Sequence, residues 1–465
     1  MAVLVHGLVH KIRDLVYSGE MNNVCGPFEG KKITLMGLGL LGRGVGDAKF
    51  LAECGAEVLV TDMKTEMELA ESVEVLKKYP NVTFHLGKHT MEDFTSCDMV
   101  IKAAGVALDS PFIVAARTAG VPVYMSTALF AKYAMEIGAT IVGVTGTRGK
   151  STVTQMIYWG LKETGSVNAF LGGNVRGVST LTLLSEIKSG DIAVLELDSW
   201  QLQGFGDLKI SPDISVFTNL MPDHQNYYKS EDDYFADKAN IFLYQNATDV
   251  LICGEGIEQK IKAARPPLAP IVPESIPDEW QLQIPGAHNR DNASLATEVL
   301  RHFLEEEEIW ASITSFAGVE GRLQLVSDKN GVKIYNDNNA TTPEATIAAL
   351  QALSVPRLRS GQNQNIVLIL GGADKGLDMS NLLYEIAKSC KRVICLAGTG
   401  TSRITPFMQD YSIYDNLKSA VEEAIKSAQS GDIILFSPAF ASFGMFKNEY
   451  ERNDTFLKII DSVTK

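Results

Sequence analysis

The residues best suited to chemistry sit together in Gly146-Thr147-Arg148-Gly149-Lys150-Ser151-Thr152. An apolar run, Ala139 to Val144, leads into them, and Thr152 to Ile157 leads away with helical character, so the order is strand, loop, helix. Such a loop turns backbone N–H groups inward at a helix N-terminus, where they and the helix dipole attract phosphate. Lys150 then reaches the outer phosphates and the Ser151 hydroxyl sits on Mg²⁺. The full phosphate-loop consensus needs a glycine at Val144, and Gly143 comes one place early, so the motif is a variant. Alone, it could be a glycine-rich turn with an exposed lysine.

A second glycine turn, Gly37-Leu38-Gly39-Leu40-Leu41-Gly42, follows the apolar run Lys32 to Met36. A helix through Leu51 and a strand from Glu57 to Val60, ending at Asp62, complete a dinucleotide-type fingerprint. By itself this turn would indicate a dehydrogenase. Acids and bases recur at other strand ends: Glu196 closes Ile192 to Leu197, and Ile214 to Asn219 opens into Pro222-Asp223-His224. A helix from Glu231 to Tyr244 carries Lys238 in its middle, where a lysine is ordinarily solvent-facing.

The elements that must position these residues alternate strand and helix. Further strands are expected at Asp98 to Lys102, Val121 to Tyr124, Val332 to Tyr335, Ile366 to Leu370, Arg392 to Leu396 and Ile433 to Phe436, and further helices at Thr127 to Ile137 and Asp291 to Glu305. This is an α/β chain of three successive units. Its 465 residues exceed one core, and the expected domains are 1–125 (with an extension, 1–30), 126–318 and 319–465. The extension reads as an amphipathic helix over Met1 to Tyr17, without a signal-peptide core.

With 42 basic and 56 acidic residues the formal charge is −14, which argues against general nucleic-acid binding. No run of about twenty apolar residues suggests a membrane span. The six cysteines show no metal-ligand spacing and read as reduced thiols of a cytoplasmic protein.

Taken with Leu195-Glu196-Leu197-Asp198-Ser199-Trp200-Gln201 and Asn219 to His224, the phosphate loop resembles that of the Mur ligases. The similarity runs from about Lys31 to Phe456 through Gly172-Gly173-Asn174, His288-Asn289, Asn336-Asp337, Gly371 to Lys375, Ser437-Pro438-Ala439 and Phe446-Lys447-Asn448. Within the family it is strongest to the branch that adds glutamate, in the D form, to UDP-N-acetylmuramoyl-L-alanine. The resemblance implies a Rossmann-like UDP-binding domain, a central P-loop-type ATP-binding domain with a mostly parallel sheet, and a Rossmann-like C-terminal domain. It implies a cytoplasmic, monomeric, ATP-dependent amide ligase of peptidoglycan synthesis, with UDP-N-acetylmuramoyl-L-alanine, glutamate and ATP as its small-molecule partners.

The resemblance also implies residue roles. Gly146, Thr147, Gly149, Lys150, Ser151 and Thr152 would hold the ATP phosphates, Asn289 or Asn292 the adenine, Arg322 a phosphate and Asp337 the ribose. Ser151, Glu196, His224 and a carbamylated Lys238 would hold two Mg²⁺, with Lys150, His224 and Lys238 as the catalytic set; a carbamate supplies oxygens where an ammonium would be repelled. Gly39, Leu40 and Leu41 would approach the UDP diphosphate, Asp62 the uracil and Asn174 the muramoyl group. Thr341, Lys375, Ser442 and Phe443 would surround the incoming amino acid. Because ATP contacts come from the middle and last domains, closure of the last domain is expected.

Four sites depart from the family pattern that the resemblance implies: Leu41, where a hydroxyl residue is common, Ala103-Ala104-Gly105 in place of Ser-Pro-Gly, Asn339 where a lysine is common, and Glu449 where an aromatic is common. The competing readings are a relative with another acceptor, such as a folylpolyglutamate synthase, and a nucleotide-binding homologue without ligase activity.

Overall fold

Strand β1 (Lys32–Met36) lies at the centre of a five-stranded sheet because its residues beyond Lys32 are buried on both faces. The computed structural model describes residues 24–39, 42–221, 223, 227–354 and 364–463. The expected helix over Met1 to Tyr17, together with Leu40, Leu41 and His224, lies outside them. The sheet also contains β2 (Glu57–Asp62), β3 (Val82–Leu86), β4 (Met99–Lys102) and β5 (Val123–Tyr124), in the order β3-β2-β1-β4-β5. All its pairings are parallel. The order reverses between β1 and β4, which opens a crevice at their carboxyl ends beside the Gly37 turn.

A second parallel sheet is built from β6 (Thr140–Thr145), β7 (Ala169–Gly173), β8 (Ile192–Glu196), β9 (Ile214–Phe217) and β10 (Val250–Cys253), in the order β10-β9-β6-β8-β7. Its centre is β6, which ends in the phosphate loop. The third sheet has six strands, β11 (Gln324–Lys329), β12 (Val332–Asn336), β13 (Ile366–Gly371), β14 (Cys390–Leu396), β15 (Tyr411–Tyr414) and β16 (Ile433–Phe436). Their order is β11-β12-β16-β13-β14-β15, and only the β11·β12 pair is antiparallel.

The chain packs as two bodies, one from residues up to 274 together with 294–309, the other from 275–293 and from 310 onward. The first body holds two sheets over one continuous apolar core that includes Phe28, Leu51, Phe130, Leu181 and Leu202. In the second, the two faces of the sheet are covered separately, one cluster around Leu350, Leu368 and Leu382 and another around Ile369, Val421 and Phe456. Among the described residues no helix is long and apolar enough to cross a membrane.

Several expected boundaries shift. The helix expected from Asp291 to Glu305 runs Ala287–Leu300, and the one carrying Lys238 ends at Ala239. The expectation of six reduced thiols is corrected: Cys25 and Cys54 form a disulfide with Cα atoms 4.8 Å apart. Their separation of 29 residues carries no signal, and only the packing of the turn before β1 against the end of helix Arg43–Glu53 brings them together.

Candidate active site

The phosphate loop is shaped by close approach of backbone to backbone. Gly146 has φ 141°, and a Cβ there would lie 2.0 Å from Thr218 Oγ1, so only glycine fits. The Thr147 amide donates to Asn219 O at 2.9 Å and the Arg148 amide to Asn219 Oδ1 at 2.9 Å, tying the loop to the segment after β9. Gly149, at φ 81°, then starts the helix Lys150–Thr164, whose first turn carries Ser151 and Thr152.

Two lysines converge on this loop. Lys150 Nζ donates to Gly146 O at 3.1 Å and Thr147 O at 3.0 Å. Lys238, 1 % exposed, donates to the same Gly146 O at 2.9 Å and to Thr145 Oγ1 at 3.3 Å, with its Nζ 4.6 Å from the Tyr234 ring centroid. Burial, reinforced by the neighbouring charge of Lys150, pulls the Lys238 ammonium down to about 7, while Asp198, Asp223 and Asp237 oppose the shift. Burial thus favours the neutral amine at Lys238.

Glu196 is the Cα partner of Val144, two residues before Gly146, and of Gly173 on its other side. It is 7 % exposed, and among the described residues its carboxylate accepts no hydrogen bond. A buried anionic acceptor without a donor fits a hard cation, as does the Ser151 hydroxyl one strand away. Among the described residues no group of three or more His, Cys, Asp or Glu side chains gathers here, so substrate oxygens and water would complete the coordination. The Asn174 amide donates to Glu196 O at 2.7 Å, which holds Asn174 at the same strand ends.

The Gly37 turn is organised by a carboxylate. Asp62 Oδ2 accepts from the amides of Leu38 at 2.9 Å and Gly39 at 3.3 Å, and Oδ1 from Lys64 N at 2.9 Å. Asp62 thus spends most of its acceptor capacity on the turn itself.

In the second body, Asp337 follows β12 and is buried, accepting from Ser437 Oγ at 2.7 Å and Leu323 N at 3.1 Å. Burial raises its carboxyl to about 7 against these bonds and the charge of Arg322, which is itself exposed. Asn289 and Asn292 lie on the helix Ala287–Leu300, joined by a bond of 3.1 Å, with Asn289 Nδ2 donating to Pro285 O at 2.7 Å. Lys375 Nζ donates to Thr341 Oγ1 at 2.9 Å. Ala373 and Ala441 exchange backbone bonds of 2.9 and 3.2 Å, and Ala439 N donates to Ala340 O at 2.8 Å. These bonds stitch the loops of Thr341, Lys375 and Ser442 together; Ser442 is buried and Phe443 is 63 % exposed.

Residues 31–125 match the family described as Mur ligase MurD-like, N-terminal domain, residues 144–272 the Mur ligase middle domain, and residues 321–440 the Mur ligase, glutamate ligase domain. The chain is 34 % identical over 480 residues to the UDP-N-acetylmuramoylalanine--D-glutamate ligase of Roseiflexus sp. (strain RS-1), covering 94 % of this chain and 99 % of that one. The chain belongs to the Mur ligase family. Two solved Mur ligases share the fold: MurC of Thermotoga maritima (TM-score 0.58, 19 % identity, 93 % of this chain and 100 % of that one) and MurF of the same organism in complex with ADP (TM-score 0.53, 16 % identity, 87 % and 94 %).

Two residues of this Mur ligase escaped the sequence reading. Arg452, 1 % exposed, donates from Nε to Asn338 Oδ1 at 2.8 Å, from Nη2 to Asn338 O at 2.9 Å and from Nη1 to Phe440 O at 3.2 Å. Burial lowers it to about 10, and it braces the loops after β12 and β16. Arg43 donates to Asn174. Its one sequence signal is its place directly after the Gly37–Gly42 turn. Asn339 bonds the turn that carries Arg322: its amide N donates to Gly321 O at 2.9 Å and its Nδ2 to Glu320 O at 3.3 Å.

Proposed function

We propose that this chain is a cytoplasmic ATP-dependent amide ligase that joins D-glutamate to UDP-N-acetylmuramoyl-L-alanine in peptidoglycan precursor synthesis. The observation that carries the reading is the convergence of Lys150 and Lys238 on the Gly146 carbonyl, next to the strand that ends in buried Glu196, in a chain similar over 94 % of its length to a D-glutamate ligase. In the reaction, the alanyl carboxylate attacks the γ-phosphorus of ATP, ADP leaves, and an acyl phosphate forms. The glutamate amine then attacks the acyl carbon, and inorganic phosphate departs from the tetrahedral intermediate.

The barrier is the approach of two anions. Lys150 lies within reach of the loop's phosphate cradle and offsets part of that charge. The amides of the loop and the start of helix Lys150–Thr164 orient the triphosphate. Asn174 orients the muramoyl end. Ser151, Glu196, His224 and a carbamylated Lys238 would hold two Mg²⁺, which would further neutralise the phosphoryl oxygens. The free-amine character of buried Lys238 supports the carbamate: the amine adds to CO₂ and loses a proton, giving an anion beside Lys150 in place of a second cation. For the remaining substrates, Gly39, Leu40 and Leu41 would approach the UDP diphosphate and Asp62 the uracil. Asp337 takes the ribose, Arg322 a phosphate, and Asn289 or Asn292 the adenine. Lys375 takes the glutamate side-chain carboxylate, with Thr341, Ser442 and Phe443 around it.

The test is ADP release by purified chain offered UDP-N-acetylmuramoyl-L-alanine with D-glutamate, L-glutamate or other amino acids. Turnover with D-glutamate alone supports the reading. Turnover with another acceptor alone, or unchanged turnover in Lys150→Ala, sinks it.

A further inference from the structure

The helix after the Gly37 turn begins at Arg43, directly after Gly42 in the left-handed region at φ 81°. The Arg43 guanidinium reaches across to the second sheet, where Nη2 donates to Asn174 Oδ1 at 3.0 Å. Its Nε is withdrawn from solvent and has no hydrogen-bond partner. Among the described residues no carboxylate lies within ion-pair distance of it. The nearest acid in sequence, Asp47 one turn on, is turned to Ser179, whose hydroxyl donates to it at 2.6 Å. Asp47 feels the Arg43 charge without bonding to it, so the guanidinium is hydrogen-bonded to one neutral amide oxygen, has a buried N–H left over, and keeps donors for an anionic ligand.

We propose that Arg43 is a substrate-binding residue that takes the diphosphate of a nucleoside-diphosphate sugar, with Asn174 as its protein anchor. The inference rests on reading the Gly37 turn as the UDP site. The diphosphate is favoured over the substrate's reacting carboxylate for two reasons. Arg43 is the first residue of the helix that opens at the glycine turn, where a helix N-terminus and a guanidinium both favour phosphate. A carboxylate locked in a guanidinium would also be a poorer nucleophile. Through Asn174, whose amide is bonded to Glu196 O, the residue that senses the diphosphate also steadies the strand ends where the acyl group reacts.

The experiment is calorimetric titration of the full chain, saturated with a non-hydrolysable ATP analogue, with UDP and with uridine at two salt concentrations. Arg43→Gln keeps an amide donor for Asn174 and removes the charge, Arg43→Lys keeps the charge and loses the fork, and thermal midpoints verify folding. The expected result is UDP binding about 10- to 100-fold weaker in Arg43→Gln, with a flatter salt dependence, partial recovery in Arg43→Lys, and uridine and ATP-analogue binding unchanged. Equal UDP affinity and salt dependence in folded Arg43→Gln and wild type overturns the assignment alone. Wild-type chain that binds neither UDP nor uridine overturns the UDP reading of the turn, and the assignment with it.

Discussion

The glycine turn after β1 and the phosphate loop after β6 are the same device placed twice, a central strand of a five-stranded parallel sheet opening into glycines and then a helix. They differ in what occupies the backbone. After β1 the Leu38 and Gly39 amides are already claimed by the Asp62 carboxylate, and Arg43 stands at the helix start. After β6 the loop's carbonyls are claimed by two lysines, Lys150 and Lys238. One turn is thus built around an anion of the protein, the other around its cations. The fold supplies a cradle, and side chains from neighbouring strands and helices set its charge.

The comparison can be broken most decisively at Lys150. Lys150→Ala should lower ADP-forming turnover by about 10³-fold while leaving UDP titration intact, since only the second loop depends on that charge. Steady-state kinetics with parallel calorimetry checks both halves. Next comes the backbone. Gly146→Ala should cost about 3 kcal/mol in urea unfolding of the first body and abolish ATP-analogue binding, because its Cβ meets Thr218.

Asp47 distinguishes the two helices, since the helix Lys150–Thr164 buries no acid. Burial raises Asp47 from 3.8 to about 6, against bonds from Ser179 and Ser126 and the charge of Arg43. The folded state therefore holds the proton more tightly than the unfolded one. The group's contribution to stability is fully present below about pH 4 and is lost as pH rises through about 6. Asp47→Asn should remove that decline and gain about 2 kcal/mol over wild type at pH 7, read from denaturation curves between pH 4 and 8. The smallest effect is expected at Gly39→Ala: φ is 65° but a Cβ would meet nothing within 4 Å, so the cost is about 1 kcal/mol, without loss of ATP-analogue binding.

Much of this architecture was legible because interior strands write long apolar runs. β1, β6, β8, β9, β13 and β16 were all expected within two residues of their observed ends. The five strands not anticipated, β3, β7, β10, β11 and β15, are all sheet edges. With one neighbour and a face toward solvent, an edge tolerates residues such as Thr83, Asp328 and Ser412, which erase the apolar signal. The loop residues at strand ends were found because glycines and isolated charges punctuate apolar runs. Arg43 and Arg452 were not, because their roles depend on partners 131 and 114 residues away that only the fold brings near. Cys25 and Cys54 escaped for the same reason.

The bonds between Ala373 and Ala441 and between Ala439 and Ala340 turn three separate loops into one plate. Thr341, Lys375 and Ser442 ride on that plate, with Arg452 as a rivet beneath it. With the amino acid assigned to these loops as proposed, the acceptor preference should resist stepwise change. A substitution that shifts one loop drags the other two, so useful variants should appear as coupled sets, and single replacements should mostly trade activity for nothing.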